Sequence, residues 1–295
     1  EELERERRQR HRRHHHERPG PDTTQSPSMS KYADDDMTAA DGAIHGWSMQ
    51  EALQAAQKES AKMATMTPRD VLQSLQRGNM RFYSGHSSRP EQSAFHRRAL
   101  ISTQFPSTAV LGCSDSRVPV EIVFDQGLGD MFVVRVAGNC LGVATEASLE
   151  YAIHHLKVKV VLVLGHEGCG AIKAAGLPLE TIEKEPEALA SVLKFLKSGL
   201  QSSTHIEKML DARARDREAV TTNVKNQVVR LTEDPAILEK IDSGKIKMVG
   251  CYYEISSGIV DFFMQVAQEE PGEEFKPSPG ILSRYNPRTK EIVYA

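Results

Sequence analysis

The chain has 295 residues, of which 39% are hydrophobic and 26% are charged, and its formal net charge is −3 at pH 7. The length predicts one sizeable domain with tails, or two small domains, and the weak negative charge argues against a nucleic-acid partner. The sequence contains no apolar run of membrane-spanning length and no signal-peptide core. We therefore expect a soluble, intracellular protein, either cytoplasmic or in an organelle such as the plastid stroma or the mitochondrial matrix.

The N-terminal part of the chain predicts a tail followed by a helix. Residues 1–45 hold too few apolar side chains to form a core, so we expect a disordered or low-complexity tail. Its start is rich in Arg, Glu and His, so a targeting remnant or an anionic docking arm remains an alternative. The glutamates, however, are untypical of a transit peptide. Residues 46–66 have apolar side chains at helical spacing, which predicts an amphipathic N-terminal helical arm that covers its own domain or a partner subunit.

Residues 67–295 predict one folded domain, because apolar runs alternate with helical patterns there. Thr67 and Pro68 start the first helix, as N-cap and first helical residue. Apolar runs predict strands at 109–112, 131–136, 160–165 and 246–254, with an edge strand or partner contact at 292–294. Further helices are predicted at 120–124, 144–156, 207–231 and 235–243. Since helices separate the buried strands, we predict an α/β fold with a mainly parallel central β-sheet flanked by helices.

The four cysteines lie far apart in a chain too large to need disulfide bonds, so we expect reduced thiols. Two of them follow predicted strands, in the segments C-S-D-S-R at 113–117 and G-H-E-G-C-G at 165–170. Because the carboxyl ends of parallel strands meet at the same edge of a sheet, we expect the two segments to lie close together. Within the second segment, His166 and Cys169 are three residues apart and can point at one ion.

Two thiolates, an imidazole and a carboxylate form a ligand set that Zn²⁺ prefers. The sequence therefore predicts a zinc site formed by Cys113, Asp115, His166 and Cys169. Each residue taken alone has a structural alternative. A lone buried cysteine is usually an inert small hydrophobe, and a lone histidine at a strand end is more often part of the core.

The two segments resemble the motifs of the β-class carbonic anhydrases, and the resemblance covers about residues 68–260. It implies zinc held by Cys113, His166 and Cys169, with Asp115 either in the fourth position or paired with Arg117 so that water takes this position. It also implies that Asp115 and Arg117 are catalytic, and that the reaction is the reversible hydration of carbon dioxide to bicarbonate and a proton. Since two thiolates nearly cancel the charge of zinc, we expect activity to rise with pH above neutral.

The resemblance also implies residues that bind the substrate. Gln104 falls where a glutamine of the plant-like branch hydrogen-bonds substrate, and Phe132 and Tyr151 are implied to line an apolar pocket for carbon dioxide. Ala137 stands where the family often has valine, which predicts a roomier pocket. Gln104 and the early position of the only tryptophan, Trp47, favour the unregulated, plant-like branch. A homodimer or higher homo-oligomer with the active site at the subunit interface is implied as well.

The sequence leaves two alternative functions open. Four protein ligands would form a closed, structural zinc site without turnover. Alternatively, the same scaffold would act on carbon disulfide or carbonyl sulfide, because access to the pocket selects the substrate. Glu167 is bulkier and more acidic than the residue that the family often has between the histidine and the cysteine, so we expect the pocket mouth to differ.

Overall fold

The apolar runs of the sequence form one β-sheet. The computed structural model describes residues 49–88, 97, 100, 101, 103–201, 203, 205–266 and 283–294. The predicted N-terminal tail and Trp47 lie outside these residues. The strands are β1 Thr108–Gly112, β2 Met131–Arg135, β3 Val160–His166, β4 Lys247–Tyr253, β5 Val260–Val266, β6 Ser283–Asn286 and β7 Glu291–Tyr294.

The sheet has the strand order β2-β1-β3-β4-β5-β6-β7. The first four strands of this order run parallel to one another. Strand β5 is antiparallel to β4, β6 is parallel to β5, and β7 is antiparallel to β6. The predicted α/β class is confirmed. The sheet itself is mixed, with a parallel four-stranded core that β5, β6 and β7 extend beyond β4.

Helices connect the four parallel strands β1 to β4. Their bounds are α1 Met49–Thr65, α2 Pro68–Tyr83, α3 Val120–Val123, α4 Val143–His154, α5 Gly170–Ala175, α6 Leu179–Ile182, α7 Glu187–Leu200, α8 Ala212–Leu231 and α9 Pro235–Asp242, with short 3₁₀ turns at Ala137–Asn139 and Ile206–Lys208. Thr67 caps α2 as predicted, since its hydroxyl accepts a hydrogen bond from the Asp70 N–H (3.2 Å). Among the helices that the structure describes, none combines the length and the apolarity needed to span a membrane.

One predicted helix needs correction, and two described strands have no counterpart in the sequence predictions. The helix predicted at 207–231 begins later, at Ala212, because the Asp211 carboxylate accepts hydrogen bonds from the N–H groups of Arg213 (2.8 Å) and Ala214 (3.1 Å) and so caps α8 there. Strands β5 and β6 have no counterpart in the sequence predictions. Strand β5 is a short apolar run directly after a turn, and the periodicity of such runs does not separate a strand from a helix.

The central strands β1 and β3 are buried along their whole length. Side chains alternate between the two faces of a strand, so Leu111 and Val163 join the core on one face, while Val110 and Leu162 join the core on the other. Strand β2 ends the described sheet and is only partly buried. The site-bearing loops thus leave two fully buried strands, whose apolar side chains stabilise the fold by about 1.5–3 kcal/mol each.

Helix α8 lies directly against the end of β3 because residue 165 is a glycine. A Cβ atom at Gly165 would lie 2.5 Å from Cγ1 of Val220 and 2.8 Å from Cγ2 of Val224. The glycine therefore allows a close approach of helix and strand at the position that precedes His166. This contact places the amino-terminal half of α8 beside the loop that follows β3.

Candidate metal centre

Three potential metal ligands lie together at the carboxyl end of the parallel strands. Gly112 at the end of β1 is paired in register with Leu164 of β3, so the chain leaves both strands at the same level. Cys113 follows β1, His166 is the last residue of β3, and Cys169 precedes α5. The Cys113 and Cys169 sulfur atoms are 4.0 Å apart, and the ligand atoms of all three residues lie within 4.8 Å of one another. All three side chains are buried.

The imidazole of His166 is oriented by a backbone carbonyl group. Its Nδ1 lies 2.9 Å from the carbonyl oxygen of Glu167, which can only accept, so Nδ1 carries the proton. Its Nε2 is buried and has no hydrogen-bond partner among the described residues. A buried, unprotonated imidazole nitrogen without a partner is costly unless something binds it. Together with two thiols, this nitrogen completes a donor set that fits a zinc-like ion.

The two thiols share a proton. The hydrogen bond between the sulfur atoms lowers the pKa of Cys113 to about 4, because the resulting thiolate accepts from its neighbour. The same bond raises the pKa of Cys169 far above that of an ordinary thiol, since a second negative charge would be buried beside the first. Before a cation binds, the pair therefore holds one thiolate, on Cys113, and one thiol, on Cys169. A cation that binds both sulfur atoms must displace the proton of Cys169.

Asp115 is paired with Arg117. The guanidinium group donates from Nε to Oδ1 (2.9 Å) and from Nη2 to Oδ2 (2.7 Å), and the backbone N–H of Arg117 donates to Oδ1 (2.9 Å). These bonds hold the pKa of the Asp115 carboxyl well below its usual range. Asp115 Oδ2 lies 3.9 Å from Nε2 of His166. The carboxylate therefore borders the cluster, while the described residues close enough to hold one ion are the two cysteines and the histidine.

The loop after β3 turns sharply at Gly168, which adopts a left-handed conformation (φ +67°) that favours glycine. Arg117 Nη2 also lies 3.3 Å from the carbonyl oxygen of Gly168, so the same guanidinium contacts both loops of the site. This contact links the segment of Asp115 to the segment of His166 and Cys169.

Arg135 is a site residue that sequence analysis missed. Its Nε donates to the carbonyl oxygen of Cys113 (2.9 Å), and its Nη2 donates to the carbonyl oxygen of Asp115 (2.6 Å). The guanidinium group thus holds the backbone on both sides of Ser114. The available signal was its position, since an arginine ends the apolar run of β2, which lies beside β1 with Arg135 paired to Gly112.

The residues implied to bind substrate lie in two places. Gln104 and Tyr151 line a cavity of about 650 Å³, and none of the three cluster residues lines it. The Phe132 ring is half-buried and lies 6.2 Å from the Tyr151 ring, between centroids. Ala137 is exposed and follows Val136, whose carbonyl oxygen accepts from the Ser114 N–H (3.3 Å), so it lies near the Cys113 loop.

A second cavity, of about 550 Å³, reaches Cys169 from the side of α7 and α8. Apolar side chains such as Ile172, Leu200 and Val220 line it together with Lys173 and Lys197. Its walls come from separate helices and a 3₁₀ turn, so no local sequence pattern indicated it.

The fold and the cluster define an α/β protein with a site able to hold a metal ion, and comparisons with known proteins make the class specific. The family model for carbonic anhydrases matches residues 108–260. Carbonic anhydrase 2 of Mycobacterium tuberculosis is 37% identical over 204 residues, which cover 66% of this chain and 93% of that protein. The carbonic anhydrase of Mycolicibacterium smegmatis is 35% identical over 210 residues, which cover 68% of this chain and 95% of that protein.

A solved structure of the same family also resembles this chain. A tetrameric β-carbonic anhydrase from Sordaria macrospora matches with a TM-score of 0.52 and 27% identity, over 60% of this chain and 89% of that chain. The chain belongs to the carbonic anhydrase family, as a member of its β-class. The resemblance seen in the two sequence motifs is thereby confirmed.

Proposed function

We propose that the protein catalyses the zinc-dependent, reversible hydration of carbon dioxide to bicarbonate and a proton, through the domain at 67–295. One observation carries the proposal. Two cysteine sulfur atoms 4.0 Å apart and an unpaired imidazole nitrogen lie buried together at the end of a parallel sheet, in a chain of the carbonic anhydrase family. This donor set suits zinc better than a hard cation, which prefers oxygen ligands.

In this proposal Cys113, His166 and Cys169 hold the ion. Bound zinc supplies a Lewis acid that lets water act as a nucleophile near neutral pH. The residues of the chain orient the ligands and exclude water. Glu167 accepts from His166 Nδ1 and keeps the other ring nitrogen free for the ion. Burial keeps competing water away from both sulfur atoms.

Asp115 and Arg117 have separate roles here. Because Arg117 lowers the pKa of Asp115, the carboxylate stays ionised at neutral pH and acts as a hydrogen-bond acceptor, not as an acid. A carboxylate has lone pairs to spare beyond the three donors that Arg117 supplies. We propose that Asp115 accepts from the attacking water and orients it, while Arg117 keeps Asp115 from taking a place among the metal ligands.

The substrate would be held by Gln104, Phe132, Ala137 and Tyr151, with Gln104 as the hydrogen-bonding residue. Because the cavity of Gln104 and Tyr151 lacks the three cluster residues, we propose that a second copy of the chain completes each active site in a homodimer or larger homo-oligomer. Large apolar side chains that remain exposed support this proposal, including Val143 (87%), Ile101 (75%) and Ile122 (60%). A solved relative from Sordaria macrospora is tetrameric.

Metal analysis and a stopped-flow carbon dioxide hydration assay on the same preparation test the function. We expect one zinc ion per chain and turnover that rises with pH above neutral. Stoichiometric zinc without turnover would instead identify a structural site, and turnover of carbon disulfide or carbonyl sulfide alone would identify the other alternative. Activity that is flat from mildly acid to alkaline pH would contradict the expected effect of two thiolate ligands.

A mixing experiment tests the shared active site. We expect Cys113→Ser and Gln104→Ala to be inactive separately, and their co-refolded mixture to regain activity, because a mixed dimer contains one site with neither substitution. A mixture as inactive as its components would show that Gln104 does not act across an interface.

A further inference from the structure

The backbone of Glu167 sets the orientation of the metal-binding histidine. Its carbonyl oxygen accepts from Nδ1 of His166 (2.9 Å), and its N–H donates to the carbonyl oxygen of Tyr253 at the end of β4 (2.8 Å). Any rotation of the peptide group after Glu167 would move the acceptor of the imidazole proton. The tautomer and the direction of the ring therefore depend on what holds residue 167 in place.

The side chain of Glu167 is held by two neighbouring elements. Its Oε2 accepts from the backbone N–H of Ser256 in the turn after β4 (2.9 Å). Its Oε1 lies 3.2 Å from Nη2 of Arg213 in the first turn of α8. Glu254 shares this guanidinium group, with its Oε1 3.1 Å from the same Nη2. The carboxylate of Glu167 thus joins the loop between His166 and Cys169 to the turn after β4 and to the start of α8.

These contacts differ in strength. The Glu167 side chain is 23% exposed, and its bond to a backbone N–H is a charge-assisted hydrogen bond to a group with little freedom to move. Arg213 is 70% exposed, so water and salt weaken both of its ion pairs. The bond to Ser256 is therefore expected to account for most of the restraint on the loop, and Arg213 for a smaller part.

We propose that Glu167 is a positioning residue. Its carboxylate anchors the loop between His166 and Cys169 so that the Glu167 carbonyl keeps the Nδ1 proton and Nε2 stays available to the ion. This role rests on the proposed zinc site. It also gives a function to the residue at which the motif departs from what the family often has, because the bulkier, acidic side chain of Glu167 reaches the Ser256 N–H.

The retention of metal by the holoenzyme tests this role. We would measure the rate at which zinc passes to an excess of the chelator 4-(2-pyridylazo)resorcinol, and the visible spectrum of the cobalt-substituted protein. We expect Glu167→Ala to lose zinc about 10- to 100-fold faster than the unmodified protein and to change the cobalt spectrum. Glu167→Gln keeps an acceptor for the Ser256 N–H, so about a threefold increase is expected. Glu167→Gln also covers the case in which Glu167→Ala does not fold.

Glu254→Gln is the matched control, because it removes the other carboxylate that pairs with Arg213 and is not a partner of the Glu167 bond to Ser256. Its amide oxygen keeps an acceptor for the Ser257 hydroxyl in the same turn. We expect its zinc transfer to stay within about twofold of the unmodified protein. If both Glu167 variants release zinc at the unmodified rate with an unchanged cobalt spectrum, the positioning role is wrong. An unmodified protein that binds no zinc would instead overturn the proposed function itself.

Discussion

The sulfur atoms of Cys113 and Cys169 lie 4.0 Å apart, although 56 positions separate the two residues in the chain. Their approach follows from the register of β1 and β3, in which Gly112 is paired with Leu164. A shift of this register by one residue would exchange the side chains that β3 presents to the two cores and move His166 relative to Cys113. The positions of the cluster residues are therefore fixed by the pairing of two fully buried strands.

Replacing any of the three cluster residues should abolish metal binding. Cys113→Ser, His166→Ala or Cys169→Ser each removes a donor for which no other described residue in the cluster can substitute. We expect zinc affinity to fall by at least about 100-fold, as measured by equilibrium dialysis with metal analysis. Cys140→Ala is the control, because Cys140 is also buried but lies outside the cluster. Equal loss of zinc in this control would mean that the variants fail through folding.

Zinc binding should release about one proton from the cysteine pair, not two. The lowered pKa of Cys113, about 4, means that this sulfur is already a thiolate at pH 8, whereas the raised pKa of Cys169 keeps its proton in place until the ion arrives. Titration calorimetry of the metal-free protein at pH 8, in buffers of different ionisation enthalpy, gives the number of protons released. A count of two would show that the sulfur atoms do not share a proton.

Removing Arg117 should allow Asp115 to approach the metal. Arg117→Ala eliminates the two guanidinium donors that hold this carboxylate and leaves it only the backbone N–H of residue 117, so we expect carbon dioxide hydration to fall by about 100-fold and the cobalt spectrum to show a changed ligand set. Arg117→Lys keeps the positive charge but loses the bidentate geometry. Its activity should lie between that of the unmodified protein and that of Arg117→Ala.

A matched control for the Arg117 variants is Arg288→Ala, which removes a surface pair with Asp242 (2.7 Å). It should leave hydration unchanged, because exposed ion pairs contribute little. Unimpaired hydration in Arg117→Ala would refute the proposed role of the pair.

Gly165→Ala should destabilise the fold. Its Cβ would collide with Val220 and Val224 and push α8 away from β3, at an expected loss of about 1–3 kcal/mol in the free energy of unfolding. Urea denaturation followed by circular dichroism measures this loss. The control is Gly142→Ala, where nothing lies within 4 Å of the added Cβ. Because Gly142 is the N-cap of α4, where glycine is preferred to alanine, its free energy of unfolding should fall by no more than about 1 kcal/mol.

Local patterns predicted much of the fold. The apolar runs of β1 and β3 are buried strands because no polar side chain interrupts them, and Thr67 starts α2 because its hydroxyl matches the free N–H groups of a helix end. The start of α8 could not be placed in the same way. Charged residues before Asp211 continue the helical pattern, and the cap becomes apparent only when its hydrogen bonds are seen.

The sequence by itself determined the family and predicted the two cysteines and the histidine of the cluster, because these residues stand in short segments that follow two apolar strands. Only the tertiary structure decided that Asp115 pairs with Arg117, a choice between two partners that the sequence leaves open. It alone showed the bond from Glu167 to Ser256, which spans 89 positions. Such contacts depend on strand order and on the packing of α8 against β3, and no local pattern of residues encodes the distance between segments so far apart in the chain.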